Sequence, residues 1–134
     1  MSQENVERAR EAYDAFNRGD YESWIAHFSE DVELHDLAET PDTGVFHGHA
    51  GARKWLAKLE DAWGPGGMRL EPRGFTEGEG VVVGHVHASA TGVRGGVPIE
   101  MALHIVVRLR DQKVVWMKAF LERSEALEAA GLRE

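Results

Sequence analysis

The sequence predicts an α+β fold: a cone-shaped α+β barrel in which three N-terminal helices pack on a strongly curved, mostly antiparallel sheet, followed by a short C-terminal helix. Three observations carry this reading. Apolar residues recur at helical spacing up to Trp63, and after the "GPGG" at 64–67 the period changes from about 3.6 to 2. Helices followed by a meander of strands segregate onto one sheet face. In the long stretch 99–109 the odd positions Met101, Leu103, Ile105, Val107 and Leu109 are apolar while His104, Arg108 and Arg110 point the other way, so the two sheet faces differ.

Each element has its own warrant. Residues 3–17 form an amphipathic helix with Val6, Ala9, Tyr13 and Phe16 on one stripe, Ser2 to cap its start and Gly19 just past its end. Asp20 caps a second helix whose stripe is Tyr21, Trp24, Ile25 and Phe28. A strand at 32–36 follows, then a loop with the turn-former "PDTG" at 41–44. The third helix, about 50–62, carries Ala52, Trp55, Leu56, Leu59 and Trp63 on one face and stops at "GPGG". A strand opens at Met68, Gly74 marks a bulge and "TEGEG" turns the chain into a strand at 81–91. "GVRGGVP" and "RDQK" are the next two turns, flanking a strand at 99–110 and preceding one at 113–122. Ser124 caps the closing helix, which ends at Gly131.

Residues 1–134 fit one domain, long enough to bury a core without staples. Cysteine is absent, which excludes disulfides, thiolate metal sites and a cysteine nucleophile. Acidic residues outnumber Lys and Arg by 23 to 15 and the basic ones are scattered, so nucleic acid is not an expected partner. No apolar run reaches the ~20 residues of a membrane helix, and the first ten residues lack a signal-peptide layout, so a cytoplasmic protein without membrane contact is expected.

The phrases "AYDAFNRGDYESWIAHFSEDVELHD", "FHGHAGARKWL" and "RDQKVVWMKAFLERSEAL" resemble the SnoaL-like branch of the nuclear transport factor 2-like superfamily, over nearly the whole chain. The resemblance implies the cone fold. It leaves activity open, because the superfamily includes steroid isomerases, polyketide cyclases, epoxide hydrolases, dehydratases and silent binding domains. Aligned with the ketosteroid isomerases, Asp36 falls at their catalytic base.

Strand parity gives Asp36 the same direction independently. Val32, Leu34 and Asp36 share a face, so the carboxylate is aimed at the core, where desolvation strengthens it as a proton acceptor. The alternative is an Asx-turn residue that ends the strand. Proton removal beside a carbonyl also needs an oxyanion donor. The isomerases' helix-borne tyrosine aligns with Ala12, but Tyr13 lies on this helix's inward stripe and is the candidate donor, or else a core aromatic. The isomerases' second donor falls near Leu103 or His104. His104 faces outward unless a bulge flips the register, in which case it polarises the carbonyl.

His85-x-His87 and His47-x-His49 lack the further ligands a metal site needs, so neither metal nor cofactor is expected. The candidate cavity lining is Phe16, Trp24, Phe28, Leu34, Trp55, Leu59, Trp63, Val86, Ala88, Leu103, Ile105, Met117 and Ala119, suited to a small apolar molecule. The strand 113–121 is apolar on both faces, with Val115, Met117, Ala119 and Leu121 on one and Val114, Trp116 and Phe120 on the other. That predicts a homodimer through the outer sheet face at His85, His87, Trp116 and Phe120. Two function classes remain: a cofactor-independent isomerase or cyclase with Asp36 as general base, or a non-catalytic ligand-binding or dimerisation module. An epoxide hydrolase-like or dehydratase-like enzyme is a third reading.

Overall fold

The computed structural model describes residues 2–36, 44–64, 66–92 and 96–132. Its elements are α1 (Ser2–Asn17), α2 (Tyr21–Ala26), β1 (Phe28–His35), β2 (Val45–His47), α3 (Gly48–Trp63), β3 (Met68–Gly78), β4 (Val81–Thr91), β5 (Pro98–Arg110), β6 (Lys113–Phe120) and α4 (Arg123–Ala129). The strands form one curved, unclosed sheet in the order β2-β1-β6-β5-β4-β3. Only β1 and β6 run parallel among the neighbouring pairs. This is the α+β architecture expected from the sequence. The Ser2 side chain, residues 41–43 of "PDTG" and residues 93–95 of "GVRGGVP" lie outside the described residues.

Local chemistry sets the ends of the helices. The Gly19 N–H donates to the Phe16 carbonyl and the Asp20 N–H to the Ala15 carbonyl, a pairing that closes α1 and needs the left-handed Gly19 (φ 78°). Asp20 then caps α2, accepting from the Ser23 N–H and hydroxyl. The same closure ends α4 at Gly131. Ser124 does not cap α4: the helix starts one residue earlier, with Glu122 at the cap position and no side-chain bond there.

Two strands differ from expectation. β1 begins at Phe28 rather than Val32, and Asp36 lies just beyond its end. β2 has three residues, too few for a periodic pattern, and pairs His35 and Glu33 with Val45 and His47.

Register decides which side chains meet the helices. β4 and β5 pair from Val81–Arg108 to Thr91–Pro98 without a slip. The expected bulge at Gly74 is present, between Pro72 and Gly74. A second shift between Arg108 and Leu109 passes over Val115, which returns Val114 to the inner cluster opposite Leu109 instead of the outer row with Trp116 and Phe120. Between "RDQK" strands the turn uses Asp111 (φ 52°) and Gln112 (φ 65°), the paired left-handed geometry whose twist suits a two-residue hairpin.

Two apolar clusters result. The inner one joins α1, α2 and α3 to the sheet through Ala9, Phe16, Trp24, Ile25, Leu56, Val86, Leu103 and their neighbours. On the outer face, Val81, Val83 and Val106 are buried with Ala126 and Leu127 of α4 and Ala130 at its C-cap, with Trp116 and Phe120 packed against them. Part of the face expected to meet a second subunit is thus covered by this chain's own helix.

Asn17, at the end of α1, ties the helix to the sheet: its Nδ2 donates to the Leu70 carbonyl (2.7 Å) and its Oδ1 accepts from the Leu70 N–H (2.8 Å). Asn17→Ala removes both bonds, and urea unfolding is expected to show a loss of about 1–3 kcal/mol.

Candidate active site

Asp36 is the buried polar side chain among the described residues, 7 % exposed, on the face of β1 that also buries Val32 (0 %) and Leu34 (1 %). The parity of "VELHD" is therefore kept through the strand end. Its backbone N–H donates to the Gly44 carbonyl, which fixes the residue where the chain leaves β1.

The carboxylate has a partner at each oxygen. Oδ1 accepts from the Trp55 indole Nε1 at 2.9 Å, and Oδ2 accepts from the Lys58 ammonium at 2.6 Å. Both donors come from α3, one turn apart on one helix face. A buried charge is costly unless paired, and the ammonium supplies the pairing. Asp36 is thus an oriented, charge-compensated carboxylate and not a lone one in an apolar pocket. The sequence does not mark out Lys58: its spacing of three from Trp55 puts it on the same helix face but names no partner for it.

Around this pair lies an aromatic platform. Trp55 stacks on Trp24 (centroids 5.5 Å, 23°), Trp24 meets Phe28 edge-on at 4.5 Å, and Phe16 lies 5.5 Å from Trp24 and 6.3 Å from Trp55. Lys58 Nζ also sits 5.8 Å over the Phe46 ring. Of the candidate lining, Phe16, Trp24, Phe28, Leu34, Val86, Ala88, Leu103 and Ile105 are buried in the inner cluster, while Trp55, Leu59, Met117 and Ala119 pack against it half-buried. Trp63 is the exception. It ends α3, where the chain turns off at Gly64 (φ 79°), and it stands outside both clusters. Between Phe16, Tyr21, Leu56, Leu59 and Met68 is a small cleft of about 10 Å³, room for a single water.

Tyr13 lies on the inner face as its stripe predicts, but it is not in the Asp36 hydrogen-bond group. Its ring is 6.2 Å from Phe75, and its hydroxyl stands over Gly84 of β4, so close that a Cβ there would be 2.5 Å from Oη. Burial pushes the phenol well above its ordinary pKa, so it stays a neutral donor.

His104 is on the outer face. The unbroken β4–β5 register sets it opposite His85, with Nδ1 atoms 2.8 Å apart, so the flip that would have turned it inward does not occur. His87 on the same face pairs with Glu100, and Trp116 lies against His35 and Arg108. His49 Nε2 contacts the Phe28 carbonyl at 2.9 Å and ties the first turn of α3 to β1. Among the described residues no three His, Asp or Glu converge as a metal cluster, and no helix is long and apolar enough to cross a membrane.

The family profile described as "SnoaL-like domain" matches residues 9–117, most of the chain. The chain belongs to the SnoaL-like domain family. Solved structures share the fold. TerC, co-crystallised with polyporic acid, is 27% identical, with 93% of this chain and 96% of that one covered at a TM-score of 0.79. An NTF2-like protein from Burkholderia pseudomallei is 24% identical over 96% and 97% of the two chains, also at 0.79. A protein with a cystatin-like fold from Xanthomonas campestris is 20% identical over 99% and 100%, at 0.79. No curated protein sequence matches.

The SnoaL-like domain's Tyr13–Gly84 contact gives a test of inner-face geometry. Gly84→Ala is expected to cost about 1–3 kcal/mol by overpacking. Adding Tyr13→Phe, which removes the clashing oxygen, should recover part of that loss in the same urea titration.

Proposed function

We propose that this SnoaL-like domain binds a small, largely apolar molecule against the Trp24–Trp55 platform and transfers a proton with Asp36 as general base. One observation carries the reading: a buried carboxylate oriented at both oxygens by groups on a single helix. Asp36 takes a proton from an acidic C–H, and the electron pair left behind moves onto the substrate's carbonyl oxygen. Protonation neutralises Asp36, so the Lys58 ammonium, 2.6 Å from Oδ2, is left to follow the negative charge onto that oxygen. Tyr13, a neutral phenol on the same inner face, is the second candidate donor. Return of the proton from Asp36 to another carbon completes an isomerisation or ring closure without a cofactor. Residues 1–134 act as one unit on this reading, in a homodimer whose contact uses what α4 leaves open of the outer face, including His87 and Trp116. The co-crystal of TerC with polyporic acid supports the class of ligand.

A second reading, a binding module without turnover, is favoured by the saturation of Asp36: Trp55 and Lys58 make it as complete as a structural ion pair. Two experiments separate the two. Binding of polyporic acid should quench the fluorescence of Trp55 and Trp24 in wild type; in Asp36→Asn, Oδ1 still accepts from Trp55 while Nδ2 meets the Lys58 ammonium as a second donor, so affinity is measured in that variant before its turnover is compared. Turnover in a screen of enones, phenolic polyketides and epoxides is expected to fall roughly 10²-fold or more in Asp36→Asn, the range for loss of a general base, and to fall in Lys58→Met through kcat. Binding without turnover of any of these compounds in wild type supports the module, and equal turnover in Asp36→Asn removes Asp36 as the base.

A further inference from the structure

We propose that His85 and His104 form a proton-sensitive latch that holds α4 on the outer sheet face, and that acidification releases the helix and bares Val81, Val83 and Val106. The latch is independent of the ligand site, which lies on the opposite face.

The hydrogen-bond pattern fixes where the protons sit. His85 Nε2 faces Arg123 Nη1 at 3.3 Å, and a guanidinium only donates, so this nitrogen is the acceptor. The Thr76 hydroxyl, 2.8 Å from the same nitrogen, donates to it as well. The proton of His85 is therefore on Nδ1, from which it is donated to His104 Nδ1 at 2.8 Å. His104 in turn carries its proton on Nε2. Both imidazoles are neutral, and Arg123 is the first residue of α4.

An added proton sets a positive charge beside the Arg123 guanidinium: the Thr76 hydroxyl can turn to accept from an Nε2–H, but Arg123 only donates and loses its acceptor. On His85 Nε2 it faces the N–H of Arg123. On His104 Nδ1 it faces the Nδ1–H of His85, which is relieved only when His85 moves its own proton to Nε2, again against Arg123. Each route sets an N–H against the guanidinium at the start of α4. The seven-residue helix behind it is also held by Ala126 and Leu127, by Ala130 at its C-cap, and by Arg108 Nη2 of β5, which donates to the Ala129 carbonyl at 2.7 Å, so a displaced Arg123 loosens the start of the helix.

The surrounding charges agree with this direction. Burial first, then Arg123, holds both histidines below their ordinary range, with His104 adding to the effect on His85 and Glu122 opposing it at His104. Farther along the same face His87 is paired with Glu100, Glu71 of β3 with Arg73, and Lys118 of β6 lies over Phe120. The sign follows. With the folded pKa values depressed, the docked state is fully favoured above the free histidine value of about 6.5 and loses ground as pH falls below it.

Amide hydrogen exchange of the intact protein tests the latch. Protection of Ala126, Ala130 and Leu132, corrected for intrinsic rates, is expected to drop tenfold or more between about pH 7.5 and about pH 5.5, while β4 and β5 amides keep theirs. In Arg123→Gln, whose amide can accept as well as donate, the drop should vanish. Imidazole nitrogen NMR of the wild type supplies a second reading that needs no variant, with His85 protonated at Nδ1 near neutral pH. A pH-independent α4, an equal drop in Arg123→Gln, or His85 protonated at Nε2 overturns the proposal.

Discussion

A one-residue slip between β4 and β5 would exchange the two faces of the sheet, and nearly everything else in the molecule depends on that slip not happening. With the register running unbroken from Val81 to Thr91, the small residues Gly84, Ala88 and Ala90 face the helices and His85 and His87 face away. Gly84 is where this matters most, because only a residue without a Cβ lets the Tyr13 hydroxyl reach the backbone of β4. Register is strongly specified here because both faces carry burial: the inner row under three helices, and Val81, Val83 and Val106 under α4.

The candidate site is built on the other half of the sheet by a different device. Asp36 leaves the end of β1 buried, and α3 brings an indole N–H and an ammonium to it from one turn. The same helix is tied to β1 at its first turn by His49 and to α2 by the Arg53–Glu22 pair. Trp55 belongs at once to the carboxylate and to the aromatic stack, so the position of the acceptor and the shape of the apolar wall are set by one side chain. A rigid first contact of this kind is what proton transfer requires.

Much of this was legible in the sequence. The α+β class, the inner row of β5, the inward face of Asp36 and the Gly74 bulge followed from period, parity and glycine placement. Lys58 did not, because a lysine on an amphipathic helix reads as solvent-facing, and only the buried charge of Asp36, visible in three dimensions, makes it a partner. The role of α4 was hidden for a related reason. Apolar residues in the outer row of β4 and β5 ask for a cover, but sequence does not say whether the cover is a second chain or the short helix that follows β6. The shift past Val115 left no trace because β6 is apolar on both faces, so either parity looked acceptable.

The Asn17–Leu70 contact bears on how the molecule meets its neighbours. β3 is a free margin of the sheet, and such margins invite a foreign strand to add itself. At Leu70 the primary amide of Asn17 offers one donor and one acceptor, as a seventh strand would, and so occupies the place where that strand would begin to zip. A single side chain at the end of α1 therefore covers the backbone of this edge at Leu70, where an added strand would have to pair.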